Sequence, residues 1–238
     1  TGLVAAWEPA LHGDVRIDHG LLAGQRISPF YDPMLGKIIA HGATREEARR
    51  KLVRAVQDCV LLGVQTNQVL LARLLEHPQF VSGEFSTGFI ARHFADHDCL
   101  QPRVVSAAEL ASAAVLFHYH SAQMHAVPLA SWRNNASVPL HYRLGLEEQD
   151  WAVELNADAG QPYRIQIAGQ TLSLKVVDCD GCWATLEIDG IRRRHAYRLE
   201  GARLWLFTRP GSLCLEDRTQ VPVSTQASLG SGTLKAPM

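Results

Sequence analysis

The sequence predicts an α+β protein in two parts: a mixed α/β segment, then an antiparallel β-barrel closed around a long helix. Two strand-like segments and a capped amphipathic helix occupy the first third of the chain. A helix that is apolar on nearly every side begins near residue 106. About eight short strand-like runs follow it, separated by turn residues at the roughly 8–12-residue rhythm of antiparallel sandwiches and barrels. A helix apolar all round must be buried, and closing the strands into a barrel removes the sheet edges while giving the helix an apolar wall.

Each element has its own signal. Residues 14–18 alternate polar Asp14, Arg16 and Asp18 with apolar Val15 and Ile17, the period of a strand with one buried face. A second strand is expected at 37–40. Thr44 and Glu47 then form a capping box, and Ala48, Leu52, Val56 and Val60 recur at spacing four, with Gly63 as the stop. A shorter helix is expected from Asn67, with Leu70, Leu71, Leu74 and Leu75 on its buried side and Pro78 just past its end. This unit should close near Phe94. Residues 95–103 (ADHDCLQPR) are polar with a proline, as an inter-domain linker would be. Ser106 and Glu109 make a second capping box ahead of Leu110, Ala113, Ala114 and Phe117. The strands are expected at 139–146, 151–156, 163–167, 171–177, 183–188, 191–199, 203–208 and 212–216. The tail 224–232 (STQASLGSG) has linker composition, and a new apolar element begins at Leu234.

Composition narrows the function. With 238 residues, 47% hydrophobic and 20% charged, the chain is an ordinary globular protein rather than a disordered or fibrous one. Its longest apolar runs, 59–64 and 113–117, are far shorter than the ~20 residues that cross a bilayer, so no membrane partner is expected. A net charge of −1 supplies no field for nucleic acid. The five cysteines lack framework spacing, which fits reduced thiols and a cytoplasmic location. The opening TGLVAAWEP carries no readable signal peptide.

Most residue clusters favour a bland reading. His118, His120 and His125 are dense, but His118 and His120 are two apart on a helix and point roughly 200° apart, so a metal-dependent hydrolase is remote. Cys179 and Cys182 straddle a turn with no second ligand pair, and no metal is expected there. Arg192, Arg193 and Arg194 alternate across a strand and should be solvated rather than form one anion clamp. The arginines of the first helix read as a solvated stripe. Arg16 stands out as a mid-strand arginine between apolar residues, although an ordinary salt bridge would explain it.

In order, GDVRIDHGLLAG, SPFYDPMLGKIIAHGATREEARRKL, GVQTNQVLLARLLEHPQF and GEFSTGFIARH resemble the C-terminal end of the biotin carboxylase component of biotin-dependent acyl-CoA carboxylases. This resemblance covers residues 1–94 and is nearest the α-subunits of the 3-methylcrotonyl-CoA and geranyl-CoA carboxylases. It implies that residues 104–223 form the family's BT domain, an eight-stranded barrel around a helix that docks on the carboxyltransferase β-subunit in a hetero-oligomer. GTLKAPM resembles the start of a biotinyl carrier domain, placing 224–238 as linker and carrier onset. Arg16 would be the arginine beside the ureido group of biotin and the bicarbonate, where paired donors hold an oxyanion. The docking loop would fall at about 123–138, with Met124, Trp132 and Arg133 as contacts. Biotin, ATP and magnesium would serve the full-length ligase, with the acyl-CoA on the β-subunit. The chain would then be a fragment of the α-subunit, inert alone, with subunit assembly as its own role. The alternative is a free-standing barrel interaction module without catalysis.

Overall fold

The computed structural model describes residues 1–11, 13–30, 32–124, 138–157, 162–209 and 211–221. The first unit contains β1 (Gly2–Leu3), β2 (Ala6–Glu8), β3 (Val15–His19), β4 (Arg26–Ile27) and β5 (Gly36–Ala40). Helix α1 (Arg45–Asp58), β6 (Val60–Leu62), α2 (Gln68–Glu76), α3 (Pro78–Ser82) and α4 (Phe89–His93) follow, then a 3₁₀ turn at Asp98–Leu100. Its strands form three antiparallel pairs, β1 with β4, β2 with β6 and β3 with β5. The capping box of α1 is present. Thr44 Oγ1 accepts from the Glu47 N–H at 3.1 Å, and the Glu47 carboxylate reaches back to the Ala43 N–H at 2.9 Å.

Helix α1 ends at Asp58, not at Gly63, because Val60, Leu61 and Leu62 are all buried as a strand against β2. Three consecutive apolar residues with both faces covered satisfy a strand better than one more helical turn. Gly63 has a different role: at φ +96° it passes so close to the Leu3 carbonyl and the Ala5 N–H that no Cβ fits. In α2 the buried residue is Ala72, while Leu71, Leu74 and Leu75 line an open groove. Pro78 does not merely follow α2; it opens α3, where its fixed φ and missing N–H suit the first turn.

The second unit has helix α5 (Ala107–Met124) and strands β7 (Leu140–Leu146), β8 (Gln149–Asn156), β9 (Tyr163–Ile167), β10 (Gln170–Cys179), β11 (Trp183–Ile188), β12 (Ile191–Glu200), β13 (Arg203–Thr208) and β14 (Gly211–Asp217). These eight strands close into an antiparallel barrel in the order β10-β11-β12-β13-β14-β7-β8-β9. The interior of an eight-stranded barrel is normally just filled by its own side chains, so a helix enters only if it is slim. Helix α5 meets this with Ala111, Ala113 and Ala114, all fully buried beside Leu110, Leu116 and Phe117. Around it stand inward Leu144, Leu155, Ile165, Leu174, Leu186, Leu204, Leu206 and Leu215, none of them exposed. Each such leucine contributes roughly 2 kcal/mol.

A polar knot fixes the start of α5. Glu109 accepts from the Ser106 N–H at 3.0 Å and the Ser106 hydroxyl at 2.9 Å, from the Thr208 hydroxyl at 2.7 Å, and from Arg103. Arg103 also donates to the Gly211 carbonyl at 2.9 Å, so the stretch between the two units is anchored to the barrel end. Burial pushes the Glu109 pKa up, but the Ser106 N–H, Arg103 and Thr208 outweigh it and leave the carboxyl lowered. At the β14–β7 seam, Arg218 donates to Asp150 at 2.7 Å and to Glu216 at 3.0 Å, and its guanidinium covers Gly145, where a Cβ would collide with it.

The two units also touch. The outward residues Trp183, Ala196, Trp205 and Phe207 of the barrel lie under Ala6, Val60 and Leu62 of the first unit. Trp183 Nε1 donates to the Glu8 carboxylate at 2.8 and 3.0 Å, and the Arg194 guanidinium sits 4.2 Å from the centre of the Trp183 ring. Arg194 is therefore a stacking residue rather than a simply solvated one.

Candidate functional site

Arg16 lies at the middle of β3, in a two-stranded ribbon whose faces differ sharply. Val15, Ile17 and Ile38 pack toward Ala55 and Cys59 beneath the ribbon. On the other face the register places Arg16 across from Ile39 and Asp18 across from Lys37, and all four are exposed. The strand period alone produces this segregation, because residues i and i+2 share a face. Arg16 Nε donates to Asp18 Oδ1 at 2.7 Å and Arg16 Nη2 donates to Oδ2 at 2.9 Å, a two-bond fork. The hydrogen bond to Asp18 raises the Arg16 pKa, and the same bond holds the Asp18 carboxyl below its ordinary value. The guanidinium remains open to solvent, with the Arg16 side chain 74% exposed. The salt-bridged strand arginine is thus what the structure contains, with donors to spare.

Beneath the ribbon, between it and helices α1 and α2, runs an apolar groove of about 830 Å³ lined by Ile17, Ile38, Leu52, Leu71, Leu74 and Leu75 among others. Asp32, Pro33 and Met34 of the SPFYDPM turn form part of its rim, where Asp32 Oδ1 caps the Met34 N–H at 2.8 Å. The groove lining contains no Lys or Arg, so it does not fit the phosphates of ATP. Arg16 points away from it on the opposite face of the ribbon, and the structure does not bring the two together.

The proposed docking residues are placed only in part. Met124 is the last residue of α5, and Trp132 and Arg133 lie outside the described residues, as does most of the loop at 123–138. No group of three metal-capable side chains occurs among the described residues. His120 instead meets the Tyr197 hydroxyl at 2.7 Å, and Tyr197 in turn meets Cys179 Sγ at 2.9 Å inside the barrel. His125 lies outside the described residues. Cys179 and Cys182 are free thiols. Burial raises the Cys214 thiol pKa to about 11, so it stays protonated near neutrality. No described helix is long and apolar enough to cross a membrane. What sequence reasoning missed is Asp18: the Arg-x-Asp spacing within an alternating strand already placed the carboxylate beside the guanidinium.

Residues 1–92 match the family model of the biotin carboxylase C-terminal domain, and residues 105–220 match that of the methylcrotonyl-CoA carboxylase alpha-subunit BT domain. Biotin carboxylase 1 of Bacillus subtilis is 43% identical over 76 residues, 32% of this chain and 17% of its own length. The mitochondrial methylcrotonoyl-CoA carboxylase subunit alpha of Dictyostelium discoideum is 38% identical over 85 residues, 36% of this chain and 12% of its own. Propionyl-CoA and pyruvate carboxylases match as well. Among solved structures, the biotin carboxylase domain of Hydrogenobacter thermophilus 2-oxoglutarate carboxylase is 25% identical, covering 39% of this chain and 20% of its own at a TM-score of 0.38. The chain spans less than a fifth of the length of these curated relatives. With its two parts matched in sequence order, the chain is similar over residues 1–92 to the biotin carboxylase C-terminal domain and over residues 105–220 to the BT domain of the methylcrotonyl-CoA carboxylase alpha-subunit.

Proposed function

We propose that this chain is part of the α-subunit of a biotin-dependent acyl-CoA carboxylase that acts, with a carboxyltransferase β-subunit, on 3-methylcrotonyl-CoA or geranyl-CoA. The BT match over residues 105–220 supports the subunit type. Biotin, when bound, supplies a ureido nitrogen that takes up the carboxyl group from bicarbonate at the expense of ATP. The observation that carries the reading is the Arg16 guanidinium, held in a fork by Asp18 on the exposed face of β3 with N–H donors still free. Such donors fit the ureido oxygen or a bicarbonate, and they stabilise negative charge on those oxygens most where it develops during transfer. Arg16 binds and orients; it does not move protons, because a guanidinium stays protonated. ATP and magnesium are assigned to the rest of the carboxylase, since the groove beneath the ribbon lacks cations. The BT barrel serves subunit assembly through the loop that carries Trp132 and Arg133.

In the full-length enzyme, Arg16→Ala should lower the rate of biotin carboxylation on the order of 10²–10³-fold, the loss typical of one oxyanion donor. Nucleotide affinity should hold. An unchanged carboxylation rate would reduce Arg16 to a structural strand residue.

A further inference from the structure

The Arg16–Asp18 fork uses only part of the arginine. A guanidinium has N–H donors on Nε, Nη1 and Nη2, arranged as flat edges that each match two acceptor oxygens. Asp18 occupies the side edge, taking Nε at 2.7 Å and Nη2 at 2.9 Å. That arrangement leaves the end edge, Nη1 together with the second Nη2 hydrogen, directed away from the carboxylate.

The pair is exposed, and exposed ion pairs add little to fold stability. Orientation is the larger physical effect. A free arginine samples many rotamers through its flexible stem, and a two-bond fork selects one of them. The ribbon supports the arrangement from both sides: Val15 and Ile17 are anchored in the core, and Lys37 stands across from Asp18 in register. Lys37 balances the aspartate, so the exposed face keeps a cationic character beside the free edge of Arg16.

We propose that Asp18 is a positioning residue for Arg16: it holds the guanidinium side-on so that the end edge takes the reacting oxygens, two oxygens of bicarbonate in parallel hydrogen bonds or the single ureido oxygen shared by both N–H groups. This rests on the assignment of Arg16 to biotin carboxylation and adds the residue through which that arginine is aimed.

The test uses the intact carboxylase, with biotin-dependent ADP release as the assay and kcat separated from KM for bicarbonate. Asp18→Asn should lower kcat about tenfold through misorientation. KM for bicarbonate should stay level or fall, because a negative charge beside the anion has been removed. Asp18→Glu, which keeps the carboxylate, should recover most of the lost kcat, and the melting temperature of both variants should match the parent. A kcat for Asp18→Asn within about twofold of the parent, while Arg16→Ala remains crippled, would overturn the role of Asp18 and leave that of Arg16 standing. Failure of Asp18→Glu to recover activity, or a rise in KM at unchanged kcat, would overturn it too. Full activity in Arg16→Ala would overturn both assignments.

Discussion

Glu109 offers the sharpest test of how the barrel is held to its helix. Its two oxygens accept from the Ser106 N–H, the Ser106 hydroxyl, the Thr208 hydroxyl and Arg103, and the residue is 8% exposed. Glu109→Gln keeps the size of the side chain but replaces one oxygen with an NH₂ group. Whichever way the amide turns, that NH₂ faces one group that can only donate, the Arg103 guanidinium or the Ser106 N–H, and leaves it unpaired, while the neighbouring hydroxyl must turn to accept. Hydrogen bonds to a charged group contribute about 1.5–3 kcal/mol each, and a buried ion pair broken on one side costs about 3–5 kcal/mol. Arg103 keeps its bonds to Gly211 and Thr208, which softens the loss. The net expectation is destabilisation by ~3 kcal/mol, read as a lowered midpoint in urea unfolding at neutral pH with an unchanged slope. The capping role adds a signature of its own: Ser106→Ala should cost only ~1 kcal/mol, because it removes one partner of the box and leaves Arg103 satisfied. A double-mutant cycle with Arg103→Met should return a coupling of ~1 kcal/mol or more. If Glu109→Gln costs under ~1 kcal/mol, or if the cycle shows no coupling, the knot does not hold the helix.

Other outcomes follow from the same structure. Gly63→Ala should destabilise the first unit by at least ~2 kcal/mol, since the new Cβ meets the Leu3 carbonyl at a positive φ; near-neutral stability would show that β2 and β6 can part without loss. His195 is buried, its Nε2 has no hydrogen-bond partner among the described residues, and burial lowers its pKa. The folded state therefore binds the proton less readily than the unfolded one. Stability should fall as pH drops below the ordinary histidine value of 6.5 and level off at the lowered folded pKa; His120, lowered for the same reason, adds to this window. In scanning calorimetry His195→Leu should flatten that decline, and an unaltered slope would exclude His195 as its source. Glu109 behaves in a separate, more acidic window, its contribution present above the unfolded value of 4.5 and lost as pH falls through the lowered folded pKa. Finally, Trp132→Ala should weaken association with the carboxyltransferase β-subunit more than tenfold in a binding titration, with the fold intact by circular dichroism. Unfolding would make Trp132 a core residue, and undiminished binding would place the docking contact elsewhere.

The barrel is legible in the residues alone. Period-2 runs bounded by DG, EG and RPG turns, behind an all-apolar helix with a Ser106–Glu109 box, allow few arrangements that cover every apolar face, and the eight strands and α5 fall where those signals lie. The family resemblance of residues 1–94 was also legible, because it rests on ordered motifs rather than on geometry. The segment 60–64 was misread because a short apolar run has no period of its own: Val60, Leu61 and Leu62 continue a helical spacing as readily as they make a buried strand. Only β2, arriving from the other end of the unit, selects the strand. The leucines of α2 were misplaced for a related reason, since spacing shows that they share a face but not whether anything in the chain covers it. The knot of Arg103, Glu109 and Thr208 joins residues 105 positions apart, and the Trp183–Glu8 contact joins residues 175 apart. No local pattern encodes such partners; packing chose them, because a carboxylate or an indole N–H leaving water must find whatever donor or acceptor the folded chain brings near. Arg16 and Asp18 lie between these extremes. Strand alternation put them on one face, and the folded ribbon decided that this face stays open.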